Sequence, residues 1–309
     1  MNILFWMDPI STIQVEKDST YLLIHECLQQ NLTPFFIESI SMKPSKLILE
    51  CATIKPFTIG EELSFESCKH QLTQLDIHAI WLRKDPPVNN AYVRDLLILN
   101  QFKNDILLLN NPTGVLMNNE KLAATQFESL TPKTLVSSNK NSIKTFINEN
   151  KECVIKPLDG YGGTGIFKLT ENDSNLDTII ELSTKNESEQ VICQQTVNHQ
   201  LGDKRVLLLD GEPIGAVKRI NYNGHRNNFM AGGIAEPATI TKNDQIIIKA
   251  IKPFLEQNQL FFVGIDIIDN YLIEINVTSP TGVQEINKLN QTNLQQKIIQ
   301  LMKERVDQL

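Results

Sequence analysis

The chain has 309 residues, of which 41% are hydrophobic and 21% charged, a composition typical of a globular protein large enough for two or three packed units. Its net charge of -7 argues against a nucleic-acid-binding protein, because such proteins usually present a basic face. The N-terminus has no basic region typical of a signal peptide, and no segment approaches the ~18 apolar residues of a membrane span. We therefore expect a cytoplasmic protein without nucleic-acid or membrane partners.

The cysteines and histidines show no spacing typical of a disulfide framework or a zinc site. The five cysteines include no C-x-x-C pair and their number is odd. We expect reduced and mostly buried thiols, with a nucleophilic cysteine as the minor alternative. The five histidines form neither an H-x-x-x-H nor an H-E-x-x-H pattern, so a zinc site is not predicted.

The first 120 residues alternate between strand and helix patterns. Short apolar runs typical of buried strands cover residues 3–7, 33–37, 77–82 and 106–109. Apolar residues recur at helical spacing over residues 19–30 and 92–102. Two further segments, residues 46–54 and 61–66, are extended in pattern and could form a hairpin. This succession predicts one α/β domain over residues 1–120.

The remainder of the chain combines hairpins with amphipathic helices. Helical patterns cover residues 120–129, 142–150, 244–257 and 290–308, and strand patterns cover residues 153–156, 166–169, 191–195, 204–209, 213–220, 261–268 and 271–276. Turn residues at 210–211 and 269–270 predict two hairpins. Residues 221–233 are polar, rich in glycine and without periodicity, which predicts a mobile loop.

A glycine-rich loop at residues 156–165 lies between two predicted antiparallel strands. Rossmann and P-loop motifs open a helix instead, so both are excluded. Glycines at a hairpin tip let backbone N–H groups approach phosphate oxygens, although an ordinary flexible turn is the alternative. Lys156, at the end of the preceding strand, favours the phosphate-binding interpretation, because its ammonium group could reach a phosphate.

A second group of polar residues lies on the predicted hairpin of residues 261–276. Glu274 and Asn276 are two positions apart on one strand and therefore share a face, and Asp266 lies on the partner strand. The flanking positions are strongly apolar, so these carboxylates need a partner, and their hard oxygen atoms suit Mg²⁺. The alternative is a solvated strand face.

Cations cluster on two neighbouring strands of the predicted C-terminal sheet. Lys204 and Arg205 follow Asp203 at the start of one strand, and Lys218 and Arg219 lie on the next. Cations close to a metal site favour an anionic ligand, whereas surface salt bridges are the alternative.

These segments together resemble the bacterial glutathione synthetases of the ATP-grasp superfamily. The similar runs are residues 7–10, 17–20, 82–87, 119–122, 131–135, 156–160, 202–206, 210–213, 231–233, 262–266 and 274–282. The run Glu274-Ile-Asn-Val-Thr-Ser-Pro-Thr-Gly282 is the most specific among them. Three segments depart from the pattern that is usual in this family. They are residues 223–228, the loop tip with Tyr161 and Thr164, and the segment after Gln195, which is shorter than usual.

The resemblance implies an α/β protein with an ATP-grasp fold and an N-terminal α/β domain of the pre-ATP-grasp, Rossmann-like type. That domain would span residues 1–120, followed by a central lid subdomain at 121–197. A C-terminal subdomain at 198–309 would carry the metal site and the mobile loop 221–233. The implied reaction joins γ-glutamylcysteine to glycine with ATP, through an acyl phosphate, and gives glutathione, ADP and phosphate. A homo-oligomer, dimer or tetramer, is also expected.

The resemblance further assigns roles to individual residues. For ATP it implies Lys121, Lys156, Asp159, Gly160, Tyr161, Gly162, Gly163, Gln194, Gln195, Thr196, Val197 and Asp203. For two Mg²⁺ ions, which Mn²⁺ could replace, it implies Asp266, Glu274 and Asn276. For the peptide and glycine it implies Asp8, Arg83, Asp85, Gly232, Gly233, Ser279 and Thr281, and for catalysis Arg205 and Arg226.

Two rival functions stay open. The first is a different ATP-grasp carboxylate–amine ligase, such as a glutamate ligase, against which residues 83–87 and 277–282 argue. The second is a non-catalytic ATP-binding module, which is hard to reconcile with the joint presence of Asp266, Glu274, Asn276 and Arg205. A protein kinase is excluded, because the chain has no H-R-D or D-F-G set.

Overall fold

A computed structural model describes residues 1–160, 162–222, 227–229 and 232–308, and it arranges their strands in three sheets. The first sheet contains β1 (Asn2–Met7), β2 (Thr33–Lys43), β3 (Lys46–Ile54), β4 (Phe65–Thr73), β5 (Ala79–Arg83) and β6 (Leu107–Leu109). Its strand order is β4-β3-β2-β1-β5-β6. The strands β2, β1, β5 and β6 run parallel, whereas β3 and β4 add antiparallel strands at one edge.

Helices cover this sheet, and their first residues are typical of helix starts. They are α1 (Ser19–Gln29), α2 (Asn90–Asn100) and α3 (Pro112–Met117). The Asp18 carboxylate accepts a hydrogen bond from the Thr20 N–H at 2.6 Å, and Asn89 caps α2 in the same way. Such caps satisfy N–H groups that have no partner within the first helical turn.

The second sheet is antiparallel and lies in the middle of the chain. It contains β7 (Thr134–Ser137), β8 (Glu152–Pro157), β9 (Phe167–Thr170) and β10 (Val191–Gln195) in the order β7-β10-β8-β9. The helices of this region are α4 (Glu120–Thr125), α5 (Lys140–Asn150) and α6 (Leu176–Ser183). Its small core joins Ile143 and Ile147 of α5 to Ile155 of β8 and Ile180 of α6.

The third sheet carries the C-terminal part of the chain. It contains β11 (Asp203–Leu209), β12 (Glu212–Ile220), β13 (Ile234–Pro237), β14 (Phe262–Ile268) and β15 (Tyr271–Asn276) in the order β13-β12-β11-β14-β15. The helices are α7 (Lys242–Gln257), α8 (Val283–Asn290) and α9 (Leu294–Val306). None of the helices in the described ranges is long and apolar enough to cross a membrane.

The first and third sheets share their buried surfaces. Asn110, at the end of β6, donates hydrogen bonds to the carbonyl oxygens of Phe262 and Val277 and accepts one from the Phe262 N–H. The apolar face of α9 packs against α1, so Ile24 and Ile298 belong to one continuous core. The three sheets fall within the predicted boundaries at residues 120 and 197, which as domain limits stay predictions.

The four cysteines whose side chains are described, Cys27, Cys51, Cys153 and Cys193, are buried free thiols, as predicted. Burial raises the pKa of Cys51 to about 12, with the Glu38 charge adding to the rise. A thiol held this firmly in its neutral form is a poor nucleophile. The minor alternative of a nucleophilic cysteine has no support at this position.

The predicted strand at residues 61–66 was wrong in its position. The strand instead covers Phe65–Thr73 and pairs with β3, with a register shift between Ala52 and Ile54. It is an edge strand with few apolar residues. Because strand prediction rests on apolar alternation, a polar edge strand gives little signal.

The predicted C-terminal helix at residues 290–308 corresponds to α9 (Leu294–Val306), whereas the helix before it, α8 (Val283–Asn290), was not predicted. Gln291 adopts a left-handed conformation (φ 52°) that ends α8. The Asn287 side chain then accepts hydrogen bonds from the Thr292 hydroxyl and the Leu294 N–H. The break is therefore set by a side-chain turn, which helical periodicity does not reveal.

Candidate active site

A cavity opens between the second and third sheets, and it collects most of the predicted site residues. It is lined by Asp85, Lys121, Lys156, Gly160, Gly162, Gly163, Gln194, Gln195, Thr196, Val197, Asp203, Arg205, Asp266, Glu274, Asn276, Ser279 and Thr281. Asp8, Arg83, Asp159, Gly232 and Gly233 do not line the cavity itself. Tyr161 and Arg226 lie outside the described residues.

The glycine-rich loop connects β8 to β9 and forms one wall of the cavity. The two strands pair antiparallel, so the predicted hairpin is confirmed. Gly162 and Gly163 have positive φ angles of 62° and 78°, which residues with a Cβ atom rarely adopt. The loop therefore presents backbone to the cavity at these positions.

Two lysines reach the cavity from different elements. Lys121, in α4, donates to the Gly160 carbonyl oxygen at 2.5 Å and lies 3.7 Å from the Glu274 carboxylate. Lys156, in β8, donates to Oε1 of Gln194 at 3.1 Å. Burial lowers the pKa of Lys156. An ammonium in this position is a strong receptor for an anion, because an anion would offset the cost of its burial.

The edge of the cavity near β10 combines polar and apolar groups. The Gln194 side chain bridges Lys156 and the Thr134 hydroxyl, to which its amide donates at 3.0 Å. The Thr196 hydroxyl is buried and has no hydrogen-bond partner among the described residues. Val154, Ile166, Ile268 and Ile273 provide apolar surface in the same cavity. A flat heteroaromatic base with polar edges suits such a combination.

Four charged side chains form a network at the floor of the cavity, on β11, β12 and β14. The Arg205 guanidinium makes two hydrogen bonds to the Asp266 carboxylate, at 2.8 and 2.7 Å. Arg219 contacts both oxygens of Asp203, at 2.5 and 2.6 Å, and lies 2.9 Å from Asp266. Burial opposes the Asp266 charge, but the two guanidinium groups outweigh it and hold the pKa of Asp266 below its ordinary value.

The predicted metal ligands meet on β14 and β15. Asp266 pairs with Glu274 in the strand register, and Asn276 pairs with Gly264. The Asn276 amide donates to the Gly264 carbonyl at 3.2 Å, which leaves its Oδ1 as a ligand atom. Two carboxylates and one amide oxygen fit a hard divalent cation. In the described ranges, no three His, Cys, Asp or Glu side chains come together as a metal-binding group.

Glu120 is a half-buried site residue that the sequence interpretation missed. Its Oε1 accepts hydrogen bonds from the N–H groups of Val277 and Thr278 and from the Thr278 hydroxyl. It therefore fixes the segment 277–282 that follows the metal ligands. The sequence indicated this role only through the position of Glu120 beside Lys121, in the run of residues 119–122 that resembles the family. Arg219 was noted as a cation but was not included among the site residues.

The first sheet contributes a buried arginine and a carboxylate beside the cavity. Arg83 is 2% exposed and donates to the Thr20 hydroxyl and the Pro280 carbonyl, each at 3.0 Å. Its Nη1 atom has no hydrogen-bond partner among the residues described. Asp85 follows at the end of β5, and its N–H donates to Oδ2 of Asp8 at 2.8 Å. Asp8 thus reaches the site through the Asp85 backbone.

The described parts of the predicted loop 221–233 lie against the charged network. The Phe229 ring lies 5.7 Å from the Arg219 guanidinium carbon, in a cation–π arrangement. The Asn227 side chain donates to the His199 carbonyl at 2.9 Å. Gly233 passes so close to Asn227 that a Cβ atom would come within 1.9 Å of the Asn227 carbonyl oxygen. Gly233 therefore has no room for a side chain, and its N–H donates to the Asn228 carbonyl oxygen at 3.0 Å.

The chain has an ATP-grasp fold. Solved structures of similar fold include a D-cycloserine synthetase, with a TM-score of 0.70, 14% identity and coverage of 98% of this chain and 99% of that one. The D-alanyl-alanine synthetase A of Vibrio cholerae has a TM-score of 0.59 at 14% identity, with 100% and 99% covered. The predicted fold class is thereby confirmed.

The sequence comparisons define the family within that class. The N-terminal domain of prokaryotic glutathione synthetase matches residues 1–115, and its ATP-grasp domain matches residues 120–291. A glutathione synthetase of Synechococcus elongatus is 36% identical over 100% of both chains. One of Thermosynechococcus vestitus is 45% identical over 72% of this chain and 70% of its own. The chain belongs to the prokaryotic glutathione synthetase family, as predicted, and is an ATP-dependent ligase of glutathione synthesis.

Proposed function

We propose that the cavity between the second and third sheets is where the chain joins γ-glutamylcysteine to glycine, by way of an acyl phosphate. The observation that carries this proposal is the convergence of three kinds of group. Buried lysines approach from one side, oxygen donors from β14 and β15, and the Arg205–Asp266–Arg219–Asp203 network forms the floor. Phosphoryl transfer needs cations and metal ligands around one small volume.

ATP would lie along the second sheet. Its adenine would occupy the apolar region beside Gln194–Val197, where the Thr196 hydroxyl lacks a partner among the described residues. Its phosphates would run beneath the glycine-rich loop toward Lys121 and Lys156. In this placement both lysines exchange a protein oxygen, from Gly160 or Gln194, for a phosphate oxygen.

Mg²⁺ would be held by Asp266, Glu274 and Asn276, where it would neutralise phosphate charge and polarise the γ-phosphate. In the structure both oxygens of Asp266 are bound by guanidinium groups. Arg205 and Arg219 would therefore turn from Asp266 to the phosphoryl oxygens of the bound substrate. The protein then exchanges one set of charge pairs for another, without exposing an unpaired buried charge.

The peptide would enter from the first sheet. The Nη1 atom of Arg83, which has no hydrogen-bond partner among the described residues, lies in a buried position near Pro280, in the segment that Glu120 fixes. A guanidinium N–H without a partner is suited to a substrate carboxylate. Ser279 and Thr281, from the same segment, provide hydroxyl groups in the cavity. Arg83, Ser279 and Thr281 thus have the chemistry to position the carboxylates of the peptide and glycine.

The reaction needs no protein nucleophile. The cysteinyl carboxylate attacks the γ-phosphorus of ATP, and the bond from that phosphorus to the ADP oxygen breaks. The glycine amine then attacks the acyl carbon, and phosphate leaves with the electron pair of the carbon–oxygen bond. Positioning and neutralisation of charge by Lys121, Lys156, Arg205 and Arg219 provide the catalysis.

The loop 221–233 would cover the acyl phosphate and exclude water, and its Arg226 would reach the transferred group from above. Closure of this loop, the role of Arg226, a cytoplasmic location and a homo-oligomeric state all stay predictions. Mn²⁺ in place of Mg²⁺ is likewise a prediction.

Substitution of one proposed metal ligand tests the site. Glu274→Gln keeps the size of the side chain but removes the charge, so we expect ADP formation with γ-glutamylcysteine, glycine and Mg²⁺ to fall by about 10³-fold. The urea midpoint of unfolding should stay near that of the parent protein. Glu256→Gln, at an exposed position of α7, is the matched control and should retain full activity. Near-normal turnover of Glu274→Gln would remove this residue from the metal site.

A further inference from the structure

The glycine step requires a proton acceptor that the groups described so far do not provide. Glycine is an ammonium ion at neutral pH, and an ammonium nitrogen has no electron pair with which to attack the acyl carbon. One proton must leave before the attack. The second leaves the nitrogen of the tetrahedral intermediate and can depart with phosphate, which carries away the acyl oxygen. The first proton needs a base within the cavity.

The carboxylates and the histidine that line the described part of the cavity differ in the protein groups that bind them. Asp203 and Asp266 are bound to guanidinium groups, and Glu120 accepts three hydrogen bonds from residues 277–278. Glu274 faces Lys121 and belongs to the proposed metal site. The backbone carbonyl of His199, in the short turn after β10, accepts a hydrogen bond from the Asn227 side chain. Asp85 is the remaining carboxylate among these described residues, and it takes part in no salt bridge there.

Asp85 also has the geometry of a base at an entrance. It lies two residues after the end of β5, and its backbone is held in place by the hydrogen bond to Asp8 at 2.8 Å. The side chain of Ser279, on the segment that follows the metal ligands, lies close enough to this carboxyl group to lower its pKa. The residue is exposed at the mouth of the cavity. A proton taken from the incoming amine can therefore pass to water.

The charges around Asp85 favour a carboxyl group of increased basicity. Although the residue as a whole is exposed, neighbouring groups displace part of the water around its carboxyl group and raise its pKa, whereas the Ser279 side chain and the Arg83 charge oppose the rise. The negative charges of Asp8, which follows β1, and of Asp18, at the start of α1, raise the pKa of Asp85 further. The same three carboxylates place negative charge where a substrate ammonium would enter, which favours binding of the cation.

We propose that Asp85 is the general base of the second step and takes one proton from the glycine ammonium before its nitrogen attacks the acyl phosphate. This inference rests on the proposed function, and it adds a catalytic role to a residue expected only to bind substrate. The Asp85 carboxyl then releases the proton to solvent at the cavity mouth.

The test separates the two half-reactions in Asp85→Asn. The first step is followed without glycine, as positional exchange of ¹⁸O between the β,γ-bridge and the non-bridging β-positions of ATP in the presence of γ-glutamylcysteine. We expect this exchange to stay within about 3-fold of the parent protein. Glutathione formation with glycine should fall by ~10²-fold or more, the range typical of a lost general base. Asp105→Asn, on an exposed turn, is the matched control and should behave as the parent protein.

A second acceptor distinguishes proton removal from positioning. Hydroxylamine is largely uncharged at neutral pH, so it can trap the acyl phosphate without a base. Hydroxamate formation by Asp85→Asn should stay within about 3-fold of the parent protein. With glycine, the parent rate should decline as pH falls through the raised pKa of Asp85, because protonation removes the base. The variant should show no break at that pKa, and its rate should instead fall in proportion to the fraction of unprotonated glycine over the whole pH range.

Three outcomes overturn the inference. They are normal glycine-dependent turnover in Asp85→Asn, an equal loss with glycine and hydroxylamine, and a loss of the positional exchange itself. The last two would make Asp85 a binding residue. If the parent protein makes no glutathione with all substrates present, the proposed function fails instead, so the two failures are distinguishable.

Discussion

The floor of the cavity shows how single charged residues are stabilised in this protein. Asp203, Arg205, Arg219 and Asp266 are each at most 8% exposed, and their formal charges sum to zero. Burial of one ion costs several kcal/mol, and a partner with good hydrogen-bond geometry offsets that cost. Arg219 is the central member, because it contacts both carboxylates and also lies under the Phe229 ring.

We therefore expect Arg219→Met to be strongly destabilising. Its loss leaves Asp203 without its partner and Asp266 with Arg205 alone, which should lower the free energy of unfolding by about 3–5 kcal/mol. Urea denaturation measures the change. Lys144→Met breaks the exposed ion pair with Asp177 and should cost no more than about 1 kcal/mol.

A second substitution separates charge from side-chain size. Adding Asp203→Leu to Arg219→Met removes the unpaired carboxylate, so the double variant should be more stable than the single one. Equal costs for Arg219→Met and Lys144→Met would mean that the buried network contributes nothing to stability.

At the scale of elements, the strands around the cavity were the most predictable from sequence. The hairpin β14–β15 is strongly apolar, so its few polar residues stand out, and the predicted positions of Asp266, Glu274 and Asn276 are those of the structure. The glycine-rich connection between β8 and β9 was equally clear. Both hairpins could be predicted because continuous apolar runs and the turn residues between them lie within a short stretch of chain.

Elements defined by distant or polar contacts were not predictable in the same way. The short strands β7 and β13 lie at sheet edges, and the helices α3 and α6 are only 6 and 8 residues long. The predicted helix at 120–129 ends already at Thr125. The role of Glu120 depends on residues 277–278, more than 150 positions away, and no local pattern encodes such a contact.

The helix α9 gives a prediction at this scale, because it belongs by sequence to the C-terminal part but packs on α1. Ile298 is fully buried there. Ile298→Ala should lower the free energy of unfolding by about 2–5 kcal/mol, the usual cost of a cavity in a core. Ile246→Ala, at a position of α7 that is 58% exposed, is the matched control and should cost less than about 1 kcal/mol.

Fluorescence can locate the effect of Ile298→Ala. The two tryptophans, Trp6 and Trp81, both lie in the first sheet. Because α9 shares a core with that sheet, the transition followed by tryptophan emission should shift together with the loss of helical circular dichroism. A shifted dichroism transition with unchanged emission would mean that α9 docks without supporting the first sheet.

At the scale of the whole molecule, the parts of the cavity come from all three sheets. The first contributes Asp85, the second contributes Lys156, and the third contributes Arg205 and the oxygen donors. Gly160, Gly162 and Gly163 of the glycine-rich loop, together with residues 227–229, border the space between them. Such an arrangement suits a reactive intermediate that must be formed, kept from water and consumed in one place.

The path of one oxygen atom tests the central claim most directly. With γ-glutamylcysteine labelled by ¹⁸O in its cysteinyl carboxylate, formation of an acyl phosphate requires that one labelled oxygen leave with phosphate. Mass spectrometry of the products should then show one ¹⁸O in inorganic phosphate for each glutathione formed, with none in ADP. Glutathione formed without ¹⁸O in phosphate would contradict the acyl phosphate route, and no glutathione from the complete mixture would contradict the function itself.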